Sequence, residues 1–253
     1  AERRVVPENA LPKPAAQKTR PLYMDGTYVF DCRAELLDVW EDEGKLCVEL
    51  DQTVFHPQGG GQSSDVGHLE ADGLPRLEVV FVAKDKVRAG VIRHECKGDA
   101  AAWLKAKGSR QAVACKVDEA KRRMAARLHS AGHLLDVAIF ALGFRWKPGK
   151  GYHFEDGPYV EYIVTQEGRQ LDNKDPKAKE AVLEELAAKM KELIAKKVPT
   201  QLGLADGMRT VTMDGVGCGC GGTHVENSAE LGEVVIKKLQ AKQGNMRVSY
   251  SMC

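Results

Sequence analysis

The feature that most constrains this chain is a change of periodicity near residue 110. Before it, short apolar segments alternate and are punctuated by glycine and aspartate; after it, apolar residues recur at helical spacing over long stretches. Lys45 to Leu50, with Leu46, Val48 and Leu50 on one face, reads as a strand, as do Leu77 to Ala83 and Val87 to Arg93. A short helix is expected around Ala100 to Lys107. Strands this short and this regularly interrupted fit a small β-barrel better than a helical domain. Beyond Lys107-Gly108-Ser109, Val113 to Val117 reads as a strand. Asp118 then offers a helix N-cap and Gly143 a C-terminal stop, bracketing Met124, Leu128, Leu135, Ile139 and Leu142. Pro176 opens a second amphipathic helix, and Tyr159 to Val164, Met208 to Met213 and Glu233 to Leu239 are further strands. The expected fold class is α+β, in three parts. These are a disordered tail over 1–20, a β-barrel-like domain over 21–110 and an α+β domain over 111–253.

Charge follows the same division. Residues 1–20 hold five basic and two acidic side chains, residues 21–110 hold 11 and 16, and residues 111–253 hold 21 and 18. The net charge of +1 excludes a histone-like binder but leaves room for a local basic face. Lys121, Arg122, Arg123 and Arg127, on the first long helix, are the candidate phosphate contacts; a solvated helix face is the plainer reading. No apolar run approaches the roughly 20 residues of a membrane helix. Seven cysteines spread along the chain are not a dense disulfide framework, and the first 20 residues lack the apolar core of a signal peptide. The expectation is a reducing, cytoplasmic setting and no membrane.

Two constellations carry chemistry. His129 and His133 stand four apart on the expected helix, hence on one face, and Cys220 and His224 stand four apart in a glycine-rich stretch. Three imidazoles and a thiolate are a donor set for zinc. Either pair alone is ordinary helix or loop polarity, and Cys218 competes with Cys220 as the thiol. A zinc-protease helix would place glutamate after the first histidine; here that residue is Ser130. The second constellation is Thr53-Val54-Phe55-His56-Pro57-Gln58-Gly59-Gly60-Gly61-Gln62. It is not a P-loop, since no Gly-Lys-Ser/Thr follows, so no nucleotide cofactor is expected. Three glycines permit close backbone approach, and Thr53, His56, Gln58 and Gln62 offer uncharged polar groups suited to a small hydroxylated ligand.

The order Phe-x-Pro-x-Gly-Gly-Gly-Gln, His-x-x-x-His, Cys-Gly-Gly-Thr-His resembles the editing region of alanyl-tRNA synthetase and its free-standing AlaX-type relatives. The resemblance runs from about residue 21 onward. It includes Lys150-Gly151-Tyr152-His153-Phe154 and Tyr159-Val160-Glu161-Tyr162. It implies a β-barrel followed by a zinc-containing α+β editing domain. The implied activity is a zinc-dependent deacylase acting on mischarged alanine tRNA, cleaving the ester of serine or glycine at the terminal ribose. By the same resemblance the ligands are His129, His133, Cys220 and His224, and Thr53 and Gln62 match polar positions near the reaction site. Thr53, His56, Gly59, Gly60, Gly61 and Gln62 become the substrate-binding set, with Thr53 and Gln62 as the catalytic pair. His56 and Ser63 depart from the tyrosine and proline common in relatives. The rival readings are a zinc-stabilised RNA-binding module without catalysis and a hydrolase of small esters or peptides. Oligomeric state is left open.

Overall fold

The computed structural model describes residues 18–242 and 244–252. The expected tail therefore lies outside the described residues except for its last three. Of these, Thr19 is buried, donating its hydroxyl to the Leu50 carbonyl (3.1 Å) and accepting from the Ile92 amide (3.1 Å). Structure thus begins before Pro21, because Thr19 bridges two strands of the first half.

That half comprises β1 (Arg20–Pro21), β2 (Asp31–Asp42), β3 (Lys45–Leu50), β4 (Gln52–Thr53), β5 (Gly67–Ala71), β6 (Leu77–Lys84), β7 (Ile92–Lys97), α1 (Ala100–Lys105) and β8 (Ala112–Val117). Six strands close into an antiparallel barrel in the order β2-β3-β7-β6-β5-β8. The turn from β2 to β3 is Glu43-Gly44, both at positive φ (50° and 76°), which matches the right-handed twist of the flanking strands. Leu36, Val39, Val48, Leu50, Leu69, Leu77, Val79, Val82, Val113 and Cys115 fill the interior. Trp103 of α1 is wholly buried against it, with its indole N–H donating to the Pro75 carbonyl (2.7 Å). Two expectations are corrected here. The strand from Val87 starts only at Ile92, because the Asp85 carboxylate accepts from the Val87 and Arg88 amides and holds a turn. The boundary at residue 110 cuts through the barrel, because β8 pairs with both β2 and β5; the barrel ends at Val117.

The second half holds α2 (Glu119–Ala141), β9 (Lys147–Tyr152), β10 (Tyr159–Ile163), α3 (Pro176–Ala195), β11 (Thr200–Ala205), β12 (Met208–Met213), β13 (Val216–Gly219), β14 (Val234–Lys242) and β15 (Asn245–Met252). A four-stranded antiparallel sheet, β14-β15-β10-β9, packs one face on the helices, and β11-β12-β13 form a smaller sheet. Asp118 caps α2 by accepting from the Lys121 amide (3.1 Å), and Gly143 at φ 87° turns the chain away from its end. Leu134, Leu135, Ile139, Val160, Tyr162, Leu186, Met190 and Val248 form the core of this half, separate from that of the barrel. Part of the seam between the halves is polar. Arg122 of α2, with no exposed surface, places Nε 2.9 Å from Asp65 Oδ1 and donates Nη1 to the Thr27 carbonyl (3.0 Å).

Candidate metal centre

The site grows from α2. His129 and His133 lie one turn apart with ring centroids 5.1 Å apart and planes 24° from parallel. The strand β13 then delivers Cys218, and the loop after it delivers Cys220 and His224. Gly222 is required in that loop, since a Cβ there would stand 2.2 Å from His129 Cε1 and 2.7 Å from Gln62 Oε1. Arg209 of β12 holds the loop closed by donating Nη1 to the carbonyls of Cys220 (2.8 Å) and Gly222 (3.0 Å).

One donor atom from each of His129, His133, Cys220 and His224 lies within 4.8 Å of the others. Cys220 Sγ is 3.5 Å from Nε2 of both His129 and His224. Zinc bonds of about 2.0–2.1 Å to nitrogen and 2.3 Å to sulfur, at tetrahedral angles, separate N and S by about 3.5 Å. His133 Nε2 is buried with no hydrogen-bond partner among the described residues, a cost that a metal bond would remove. The donor set therefore fits a zinc ion. Cys218 stands outside the group, its sulfur exposed and 3.9 Å from His133 Nδ1. Burial pushes His133 down to about 4, and His129 and His224 well below their usual range, so all three imidazoles are neutral. Burial raises the Cys220 thiol, while the Gly222 amide and Arg209 oppose it.

The Gly-rich loop reaches this cluster through Gln62. Gly59 and Gln62 exchange backbone hydrogen bonds (3.2 and 3.0 Å), with Gly60 and Gly61 at φ 60° and 79°. A Cβ at Gly61 would stand 2.4 Å from the Gly151 carbonyl oxygen, so only glycine lets the loop lie against β9. Gln62 is buried. Its Oε1 accepts from His129 Nδ1 (2.7 Å) and the Thr223 amide (3.0 Å), and its Nε2 donates to Thr223 Oγ1 (2.8 Å). The amide thereby fixes the His129 tautomer and leaves Nε2 for the metal.

Other expected residues fall elsewhere. Thr53 is fully buried, donating to His94 Nε2 (2.8 Å) and accepting from the Phe55 amide (3.1 Å). Among the described residues, no hydrogen bond joins it to the metal donors. His56 is buried beside Tyr23 and pushed down to about 4 by desolvation, while Gly59 and Gly60 are exposed. Arg122 is removed from the phosphate-contact set, because its guanidinium is spent on Asp65 and backbone carbonyls. Arg127 donates to the Leu231 carbonyl (2.6 Å), and Arg123 pairs with Glu119 while lying over Tyr28 (4.6 Å); Lys121 is exposed.

One participant carried no assigned role in the sequence. His153 stacks on His129 (centroids 4.8 Å, 20°) and donates Nδ1–H to Tyr250 Oη (2.7 Å), whose own proton goes to the Leu128 carbonyl (2.9 Å). A Cβ at Gly132 would stand 2.4 Å from its ring, so that helix position makes room for it. The Lys-Gly-Tyr-His-Phe string was the available signal; Tyr250 had none.

A six-stranded barrel whose glycine loop closes over a three-histidine, one-cysteine cluster defines a two-part protein with a donor set that could hold a metal ion gathered where its halves meet. No family model matches the chain. It is 30% identical over 250 residues to the alanine–tRNA ligase of Korarchaeum cryptofilum, covering 92% of this chain and 26% of the ligase. It is 31% identical over 238 residues to that of Methanobrevibacter smithii, covering 86% and 25%. Over 263 residues it is 29% identical to the alanyl-tRNA editing protein AlaX-M of Methanosarcina acetivorans, covering 92% of this chain and 99% of that protein. The chain is thus homologous to one stretch of alanine–tRNA ligases over about nine tenths of its own length, and to the alanyl-tRNA editing protein AlaX-M over nearly the whole of that protein. It spans about a quarter of the length of the ligases it matches.

Proposed function

We propose that the chain is a zinc-dependent aminoacyl-tRNA deacylase that removes serine or glycine from mischarged alanine tRNA. The observation that carries this reading is the amide of Gln62. It couples the Gly-rich loop of one half to His129 and Thr223 of the other, so loop and donors form one site. Near-complete coverage of AlaX-M supports the substrate class.

When bound, zinc would supply a Lewis acid that fixes or polarises the substrate's amine or carbonyl. His129, His133, Cys220 and His224 would hold it, and Gln62 positions His129 rather than contacting substrate. His153, as the Nδ1–H tautomer, keeps the Nε2 lone pair to accept a hydrogen bond from water. Thr53 is not available to read the amino-acid side chain, because its hydroxyl is engaged by His94 within the barrel.

Four protein donors also suit a structural zinc, which favours an RNA-binding module as the second reading. A deacylation panel on one tRNA carrying alanine, serine or glycine separates the two. The deacylase releases serine or glycine faster than spontaneous hydrolysis and spares alanine. A binder slows ester loss from all three, and that result overturns the proposal.

A further inference from the structure

Apart from Cys218 and Cys220, the cysteines among the described residues are Cys32, Cys47, Cys96 and Cys115, all free thiols on barrel strands. None of the proposed chemistry uses them, and strand register sorts them. Cys32 of β2 and Cys115 of β8 are direct partners across an antiparallel pair. Directly opposed residues project to the same face of a sheet, so the two thiols point the same way. Both pack with the barrel core. One step along the ladder pattern, the Val117 amide donates to the Phe30 carbonyl (2.8 Å), which places Cys32 and Cys115 at a hydrogen-bonded position. Cα atoms at such a position stand about 5.5 Å apart, close to the commonest separation across a disulfide.

Cys47 and Cys96 fail the same test. Cys47 is opposite Glu95 and Cys96 is opposite Leu46, so these two thiols project to opposite faces. Each donates instead to a carbonyl two residues back on its own strand, that of Lys45 (3.8 Å) or His94 (3.5 Å). The first pair is also graded in access: Cys32 is half-buried and Cys115 is buried. The Cys115 thiol donates to Cys32 and holds its sulfur below the ordinary thiol range; burial opposes this and the Val54 amide adds to it. The same donated bond, with burial, pushes Cys115 well up. Cys32 is therefore the thiol that an oxidant reaches first, and Cys115 the one that resolves the product.

We propose that Cys32 and Cys115 are a redox-active dithiol that hydrogen peroxide converts into a cross-strand disulfide. Cys32 sulfur attacks one peroxide oxygen and the O–O bond breaks. The other oxygen leaves as water with the proton Cys32 gave up, and Cys32 becomes a sulfenic acid. Cys115 sulfur then attacks the Cys32 sulfur, the S–O bond breaks, and hydroxide leaves as a second water with the Cys115 proton. Two thiols lose two electrons and one peroxide becomes two waters; a dithiol reductant reverses the change. The bridge clasps β2 to β8 beside the seam. β8 runs into the Asp118 cap of α2, which carries His129 and His133, and Thr27, just before β2, accepts from the His224 amide (2.9 Å). The clasp thus ties together the two segments from which the cluster is built.

The experiment maps thiols in the full chain after a small molar excess of hydrogen peroxide, with alkylation in denaturant and digestion by trypsin. Peptides 19–33 and 111–116 should appear joined, two hydrogens lighter than their sum, and should separate on adding dithiothreitol. In chain unfolded in concentrated urea before oxidation, register is lost and the joined pair should give way to mixed pairings. Cys115→Ala should leave Cys32 as a sulfenic acid that dimedone traps, whereas Cys32→Ser should leave Cys115 an unmodified thiol. The wild-type map stands whether or not either variant folds. Recovery of both peptides fully alkylated, Cys32 driven to sulfinic acid with no joined peptide, or the same mixed pairings from folded and unfolded chain would each overturn the dithiol.

Discussion

At the scale of single residues, Arg122 and Asp136 show how far burial overrides what a side chain suggests in isolation. Arg122 lies wholly inside the seam with Asp65 as its ion partner. Arg122→Gln leaves that carboxylate buried and uncompensated, at a cost of about 3–5 kcal/mol. Chemical denaturation should show this loss, while the salt dependence of RNA binding stays as in wild type. Asp136 sits one turn beyond His133, and burial pushes its carboxyl up to about 7 despite the hydroxyl donated by Tyr162 (2.7 Å). Cys218 and Tyr250 also feel its charge. The folded state therefore holds a proton that the unfolded chain has released. The stability tied to that proton is full below about pH 4 and is lost progressively as pH rises to about 7, by up to about 4 kcal/mol. Asn at 136 keeps an acceptor for Tyr162 but cannot ionise. The difference in unfolding free energy between wild type and Asp136→Asn should thus change across that window and level off above it. A constant difference from pH 4 to 7 would contradict the assignment.

At the scale of elements, α2 was the most legible part of the chain. Its cap at Asp118, its stop at Gly143 and the one-turn spacing of its histidines all follow from rules that act within a few residues. Strand β3 was legible for the same reason. What local pattern could not give was pairing. β8 looks like a lone strand before a helix, yet it closes the barrel through β2 and β5, and nothing in its six residues names those partners. Spacing picked out the four residues that the fold gathers into one cluster, but it gave no sign of what Thr53 touches. A hydroxyl in a polar string looks available until His94, 41 residues later, is seen to take its proton. Cys218 and Cys220 alternate on one short segment, and only the fold ranks them. Cys220→Ala should lose most bound zinc on gel filtration, whereas Cys218→Ala should retain it. Atomic absorption on both variants decides, and the reverse pattern would reassign the thiolate.

At the scale of the whole molecule, two apolar cores are joined by polar links that converge on the histidine–cysteine cluster. Thr27 of the first half accepts from the His224 amide through its hydroxyl (2.9 Å), and Gln62 holds His129 and Thr223. Chelation should therefore loosen the contact between the halves while leaving each core intact. Amide hydrogen exchange after zinc removal should rise at 59–62 and 218–225 and stay slow in β3 and β7. Uniform acceleration would mean that the metal supports the entire fold. The resemblance in sequence foresaw this two-part plan. It could not foresee the facing thiols of Cys32 and Cys115, because they become neighbours only through strand register.

The bond between Gln62 and Thr223 spans 161 residues. During synthesis on a ribosome the barrel strands emerge first, followed by the helix with its two histidines. The Cys220 thiol and the last imidazole emerge only after a further 91 residues or more beyond His129. A nascent chain that has folded its barrel and that helix therefore holds only two of the four clustered donors, His129 and His133. On the proposed deacylase reading, ester cleavage would switch on late and all at once, and a translation product that stops before residue 220 would be inert rather than partly active.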